Sequence, residues 1–385
     1  MLLTNAYLHP VERPDIPCGW VSFSQGKLTG VGSMEQVPRD YDGPAEDLAG
    51  AHVCPGFIDA HCHLGLFGSG LGFEAEDGNE ATDPVTPHLR ALDGVNPLDR
   101  AFGEAREHGV TTVLTGPGSA NPISGQAVVL KTAGRWVDEM VLCAPAAIKF
   151  ALGENPKSVY NERKEGPVTR MATAALIRET LKKAVEYQTK QEMSQADPQD
   201  EGPEFDAKLE ALAPLLAQTI PAHFHAHRAD DIATALRLSR EFGLRAVIVH
   251  GTEGHLIAPL LEQEGVPVIT GPCLTDRSKP ELAGLSLETP ALLSRHTLVA
   301  ICTDHPETPI QYLPLCAAMA VRGGMKEEDA LAAITLNPAK ILGIDGRVGS
   351  LTAGKDADLV ITRAHPFDWR GGVPEQVYIN GIAVK

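Results

Sequence analysis

The chain has 385 residues, 43% of them hydrophobic and 22% charged, and a net charge of −17. This is ordinary globular composition, with enough chain for one large core and a smaller satellite. The shortage of basic residues argues against a nucleic-acid surface, and no run approaches the ~18 consecutive apolar residues of a membrane helix.

The N-terminal run Met1-Leu2-Leu3-Thr4-Asn5 lacks the basic-then-apolar order of a signal peptide. Seven cysteines, none in a Cys-x-x-Cys pair, read as the reduced thiols of a cytoplasmic protein. Residues 20–32 alternate and turn at Gln25-Gly26, which predicts a β-hairpin. Residues 53–61 (VCPGFIDAH) predict a buried strand with His61 and His63 at its end. Side chains alternate along a strand, so both imidazoles point the same way and suit a borderline-soft divalent metal. Cys62 between them, like Cys302 beside Asp304, is expected to be small buried packing.

Further strands are predicted at 110–115, 141–151, 219–226, 245–250, 266–270 and 297–303, with a weaker signal near 127–130. Helices are predicted at 98–108, 170–192, 205–217, 229–242, 311–322 and 326–334, the last closed by Asn337-Pro338 and followed by a turn at 338–343. Residues 152–169 read as the longest loose loop, 116–125 (GPGSANPISG) as a structured loop, and the mixed charges of 186–210 as solvated helix or loop. The tail adds a short strand at 358–361 and a closing hairpin at 377–381.

About eight strand–helix units favour a (β/α)₈ TIM-like barrel over a doubly wound sheet. No Gly-x-Gly-x-x-Gly or Walker-type loop follows a strand, which removes the usual nucleotide rationale for the second fold. Both ends are short strands that cannot fold alone. Residues 1–54 plus 345–385 are therefore expected to form one composite β-sandwich, and 55–344 the catalytic barrel.

Metal-compatible side chains recur at the ends of other strands: Lys149, the trio His223, His225 and His227, then His250 and Asp304. Each alone has an ordinary role. A strand-end histidine is often a hydrogen-bonded core residue, an aspartate a helix N-cap, and a lysine a snorkelling surface group. Together they fall on the face where barrels place catalysis.

The chain resembles the metal-dependent amidohydrolase superfamily, in the branch of imidazolonepropionases and prolidase-like amidohydrolases. The resemblance rests on PGFIDAHCH at 55–63, GVTTVLTGPG at 109–118, IKFALGENPK at 148–157, HAHRADDI at 225–232, VIVHGTEGH at 247–255 and ICTDHP at 301–306. NPAKILGI and GRVGSLTAGKDADLVI within 337–361 extend it into the tail. It implies the same barrel and terminal sandwich. It also implies His61, His63, His225, His250 and Asp304 as metal ligands, and Lys149 as a lysine that can be carboxylated to bridge two metals. His225 is preferred within its trio because HAH at 225–227 fits the family pattern; strand alternation leaves the three open. A one-metal arrangement would use His61, His63, His225 and Asp304, with His250 positioning water or substrate.

The expected chemistry is hydrolysis of a carbon–nitrogen amide or cyclic amide bond in a small molecule. A bound divalent metal lowers the pKa of water toward ~7 and polarises the carbonyl, while Asp304 moves the proton to the leaving nitrogen. Zinc is the favoured ion, with Mn, Ni or Fe as alternatives, one or two per chain. His227, Arg228 and Arg277 are candidates for substrate contact, although Arg277 reads equally as a loop brace. Neither nucleic acid nor membrane is expected as a partner; a homo-oligomer is compatible with the sequence. The runner-up is a deaminase or cyclic-amidine hydrolase. It is weakened because the residue three after His225 is Arg228 where the metal-bearing deaminases of the superfamily often have Glu. A catalytically silent scaffold comes third, because every proposed ligand is present.

Overall fold

The computed structural model describes residues 1–68, 72–196 and 201–385. Eight strands make the barrel sheet: β1 (Phe57–Cys62), β2 (Val110–Thr115), β3 (Ile123–Lys131), β4 (Val141–Ala151), β5 (Ala222–Ala226), β6 (Ala246–His250), β7 (Val268–Thr270) and β8 (Val299–Ile301). They pair in chain order. Asp304 N donates to His61 O at 3.2 Å and His63 N to His305 O at 2.9 Å, which joins the end of β8 to the end of β1. β2, β5 and β6 are buried at every residue, as near-continuous apolar runs between two covered faces must be. Ile58, Leu114, Val129, Val247, Val249 and Ile269, from five strands, pack in one buried cluster.

The TIM-like barrel is present, but it is not eight strand–helix repeats. β3 runs antiparallel to both β2 and β4, so β2, β3 and β4 form a meander in which only the four-residue helix Val137–Met140 intervenes. The weak signal at 127–130 is the middle of this longer, reversed strand. An apolar run carries no information about strand direction, which is why the reversal was invisible in the sequence.

Eight further strands from the two termini form the second sheet. Its seam is His52–Pro55, which pairs parallel to Leu2–Leu8 and antiparallel to Leu359–Thr362. Leu3, Leu8, Val21, Val53 and Leu359 share its core. Strands Ile16–Ser24 and Lys27–Ser33 meet at the expected turn, where Gln25 (φ 50°) and Gly26 (φ 78°) both adopt the left-handed backbone that a two-residue hairpin needs. The tail closes the same way, at Asn380 and Gly381. Lys131 at the end of β3 is buried and ion-paired with Asp356 and Asp358, which fastens the terminal sheet to the barrel.

Most helices fall where expected, with three corrections. The region 205–217 holds two short helices, Ala207–Glu210 and Ala213–Leu216, because Pro214 lacks an N–H and would clash with the preceding turn of one long helix. Asn337-Pro338 does not end a helix; it lies in the first turn of Leu336–Ile341, where proline's missing donor costs nothing. The supposed loop 152–169 contains the helix Glu154–Glu162, with Pro156 again in the first turn. Within the charged stretch 186–210, helix Arg170–Ala196 continues to its end and residues 197–200 lie outside the described residues. Cys62 and Cys302 are buried in core clusters, and among the described residues no helix is long and apolar enough to cross a membrane.

Candidate metal centre

The parallel strands end at one rim, and their last residues converge there. Asp304 Oδ1 lies 3.1 Å from His61 Nε2 and 3.2 Å from His63 Nε2, and Asp304 Oδ2 lies 3.9 Å from His250 Nε2. Lys149 Nζ is 3.3 Å from His61 Nε2. The His225 ring packs 4.6 Å from that of His250. Two sets of donor atoms, His61/His250/Asp304 and His225/His227/His250, each lie within 4.8 Å of one another and could hold a metal ion, with His250 common to both.

Hydrogen bonds on the far side of each ring set the direction of the near side. His63 Nδ1 lies 2.7 Å from Gly116 O, and His250 Nδ1 lies 2.7 Å from Gly271 O. A carbonyl only accepts, so both rings carry their proton on Nδ1 and present the Nε2 lone pair inward. His225 Nδ1 meets Ser119 Oγ at 3.0 Å, and His227 Nδ1 meets Thr252 Oγ1 at 2.8 Å. His225 Nε2 is buried without a hydrogen-bond partner. A buried lone pair left unsatisfied costs about 1–3 kcal/mol, and a cation at that point would remove the cost.

The backbone is bent to deliver these groups. His250 (φ 74°) and Asp304 (φ 53°) both sit in the left-handed region that side-chain-bearing residues avoid, a strain of about 1–3 kcal/mol each. Gly271 accepts from His250 at φ 126°, where a Cβ would come within 2.6 Å of Cys302 O. Beneath them, buried Asp59 accepts from Thr303 N at 3.0 Å, Thr303 Oγ1 at 2.5 Å and His61 N at 3.1 Å. It ties the histidine strand to the aspartate strand. Burial pushes its carboxyl up to about 7, against those three donors.

Protonation states match what a metal requires. Burial lowers His250 to about 4 and holds His61, His225 and His227 well below the usual imidazole value. Burial also brings Lys149 down to about 8. Burial would raise Asp304, but His250, His61 and His63 around it hold the carboxyl well below its ordinary range. The rim therefore offers neutral imidazoles on His61, His225, His227 and His250 and one anionic carboxylate, a donor set suited to a borderline divalent cation.

A cavity of about 520 Å³ opens onto this cluster; His63, His225, His227 and Asp304 line it. Arg228 and Arg277 are not brought to it. Arg228 is exposed and bonded to Asp230 at 2.9 and 3.0 Å, and Arg277 donates to Leu285 O at 2.6 Å, bracing its own loop. Among the described residues the cation at the cavity is Lys279, which donates to Asn155 Oδ1 at 2.7 Å and lies 2.8 Å from Glu281 Oε1. Glu281 is buried, 3.6 Å from both His225 Nε2 and His227 Nε2. Burial would raise its carboxyl, but His227 and Lys279 keep it below its usual value. His223 is buried one step deeper, paired in register with Lys149, and both its ring nitrogens lack partners. Ser119, Thr252, Lys279 and Glu281 were not anticipated. Ser119 lies in the glycine-bearing segment already noted; nothing in Lys279-Pro280-Glu281-Leu282 marks a site.

The amidohydrolase family matches residues 52–384. The crystal structure of an amidohydrolase from Thermotoga maritima superposes with a TM-score of 0.96 at 48% identity, covering 100% of this chain and 99% of that one. Amidohydrolase tasK of Hapsidospora irregularis is 30% identical over 95% of this chain, which spans 40% of tasK's length. An imidazolonepropionase of Maricaulis maris is 28% identical, covering 94% of this chain and 92% of its own.

Proposed function

This chain belongs to the amidohydrolase family and is a hydrolase of carbon–nitrogen bonds, and from that premise we propose that it opens an amide or cyclic amide of a small molecule at the rim cluster. His61, His63 and Asp304 hold one divalent metal, zinc by preference over Mn, Ni or Fe. Lys149, His225 and His250 hold a second when the lysine is carboxylated. The donor set supports this assignment: neutral Nε2 lone pairs, one depressed carboxylate, and a buried orphan nitrogen on His225. A metal bound there acidifies water and polarises a carbonyl.

The chain's own groups do the rest. Asp304 Oδ1 is directed with His61 Nε2 and His63 Nε2 at the point where the metal would be held, which leaves Oδ2 to receive a proton from the attacking water. The same carboxyl, once protonated, is the acid that passes the proton to the departing nitrogen. His227 faces the cavity and contacts substrate. Lys149 is brought to about 8 by burial, so a fraction of its amine is free near neutrality to react with carbon dioxide. The unpaired cysteines support a cytoplasmic setting for an enzyme whose partner is its substrate.

The convergence of six donor groups from the ends of five strands carries this reading. N-acyl amino acids, dipeptides, lactams, hydantoins and imidazolones, offered to the Zn- and Mn-loaded protein, test it. Expected is cleavage of an amide bond without ring-amine ammonia. Ammonia release from a ring amine would move the assignment to a deaminase, and no turnover of any class would overturn it.

A further inference from the structure

Cys273 and Cys316 take no part in the chemistry described so far, and the fold brings them together. Cys273 lies two residues past Gly271 on the loop after β7, and Cys316 lies 43 residues further on, in helix Leu313–Arg322. Cys273 Sγ donates to the Cys316 carbonyl at 3.4 Å, and the two thiols also share a side-chain hydrogen bond. Cys316 is buried in the core cluster against which Cys273 packs, while Cys273 itself is half-buried. One thiol is within reach of solvent and the other stands behind it, the arrangement in which a first cysteine is oxidised and a second resolves it. The contact with Cys316 lowers the Cys273 thiol below its ordinary value, and Cys273 and burial raise Cys316 well above it, so the outer sulfur loses its proton first. Cys54, Cys62 and Cys302 are buried, and Cys18 and Cys143 lie on other elements, in Ile16–Ser24 and in β4.

The loop that carries Cys273 also orients a proposed metal ligand. Gly271 O accepts from His250 Nδ1 at 2.7 Å, and Gly271, Cys273 and His250 border one small pocket. A Cβ on Gly271 would come within 2.6 Å of Cys302 O, so the loop has little slack at this point. On its far side Thr308 Oγ1 donates to Leu274 O at 3.0 Å, which ties the loop to the segment that follows Asp304. A pull on Cys273 is therefore passed to His250 through the hydrogen bond that aims its ring.

We infer that Cys273 and Cys316 are a site of reversible oxidation by a hydroperoxide, and that the disulfide they form weakens the hold of His250 on metal. The Cys273 thiolate attacks the outer oxygen of the peroxide, the O–O bond breaks, and an alcohol or water leaves, with Cys273 now a sulfenic acid. The Cys316 sulfur attacks that sulfur, the S–O bond breaks, and the departing hydroxide takes the Cys316 proton and leaves as water. The two thiols together lose two electrons and the peroxide gains them. In a reducing compartment the bond is transient, reopened by thiol exchange. The disulfide itself is independent of the hydrolase reading; its effect on His250 rests on the metal assignment of that reading.

The test treats the full-length, zinc-loaded protein with hydrogen peroxide. Thiols counted after denaturation should fall from the seven of the sequence by two, and tandem mass spectrometry should place the link between Cys273 and Cys316. Competition against a zinc chelator should show an affinity about tenfold lower in the oxidised protein, the scale on which outer partners of metal-bound histidines act. Dithiothreitol should restore both the thiols and the affinity, and hydrolysis of any substrate found should fall and recover in step. Cys273→Ser and Cys316→Ala, each lacking one half of the bridge, should keep their zinc through the same treatment. A bridge with lowered zinc affinity and no turnover of any substrate would uphold the inference and count against the hydrolase reading. A bridge to Cys302 instead, oxidation of Cys273 without a bridge, a bridge that leaves zinc affinity unchanged, or an equal loss of zinc in Cys273→Ser would each overturn the inference and leave the hydrolase reading standing.

Discussion

Asp304 Oδ1 lies 3.1 Å from His61 Nε2 across the seam of the barrel, and the same two residues are joined by a backbone bond from Asp304 N to His61 O at 3.2 Å. Closing the sheet and assembling the donor cluster are thus one event. Asp59 reinforces it by accepting from the backbone N–H groups of both His61 and Thr303. Removing Asp304's charge therefore changes chemistry at a point whose position the backbone independently fixes.

Asp304→Asn keeps the shape of the side chain and loses the anionic proton carrier. The expected loss in kcat is on the order of 10³-fold, within the range for a positioned general acid–base group. Steady-state rates, with circular dichroism to verify the fold, check this. A loss under tenfold with metal retained would remove Asp304 from the proton path.

Lys149→Met separates the one-metal from the two-metal arrangement. With a carboxylated lysine as the bridge, the variant should hold one metal fewer per chain than the unmodified protein, and intact-mass analysis of the latter should show the added CO₂. Equal metal content in both proteins, with no added mass, would leave Lys149 a structural group beside His61.

Ser119→Ala removes the hydroxyl that meets His225 Nδ1 at 3.0 Å. Outer partners of this kind typically contribute 10–100-fold to metal affinity, so competition against a zinc chelator should show a loss of about tenfold. Unchanged affinity would mean that His225 is oriented by packing alone.

The acid limb of stability follows from histidines kept neutral. Burial, then His365 and His52, lowers His9 to about 3, and burial lowers His223 to about 3 and His305 to about 4. In the unfolded chain each returns to about 6.5. Between that value and the folded one, the unfolded chain binds more protons, so the stability present above pH ~6.5 falls as the pH drops toward 3–4. The slope is up to about 1.4 kcal/mol per pH unit for each such group. Urea midpoints of metal-free protein across this window should decline, and less steeply in His9→Gln. An identical slope in the variant would mean that His9 titrates alike in both states.

The barrel and the terminal sandwich were legible in the sequence, as were the polar groups that the structure brings to one rim. His61, Lys149, His250 and Asp304 were found as polar residues closing apolar runs, and each lies at or within three residues of a strand end, although the strands at 222–226, 268–270 and 299–301 are shorter than the runs. Strand direction was not legible: β3 is as apolar as its neighbours and runs the other way. Pro338 was over-read as a stop, because in the first turn of Leu336–Ile341 it costs no hydrogen bond. The arginines failed as substrate contacts because short-range partners, Asp230 and the Leu285 carbonyl, capture them. Glu281 could not be anticipated: it reaches the histidines from a single 3-10 turn, Pro280–Leu282, too short to show periodicity, held by Lys279 and by a bond from Glu154 N at 3.0 Å. The choice among His223, His225 and His227 is a matter of depth along the barrel, which alternation alone does not encode.

The most direct test is metal analysis of the purified full-length protein alongside its His61→Gln and His225→Gln variants, before and after chelator dialysis. Expected are one or two divalent ions per chain, fewer in either variant, with hydrolysis lost on dialysis and recovered on adding zinc or manganese. Full hydrolysis by chelator-treated protein that holds no metal, or equal metal content in all three proteins, would contradict a metal centre at this rim.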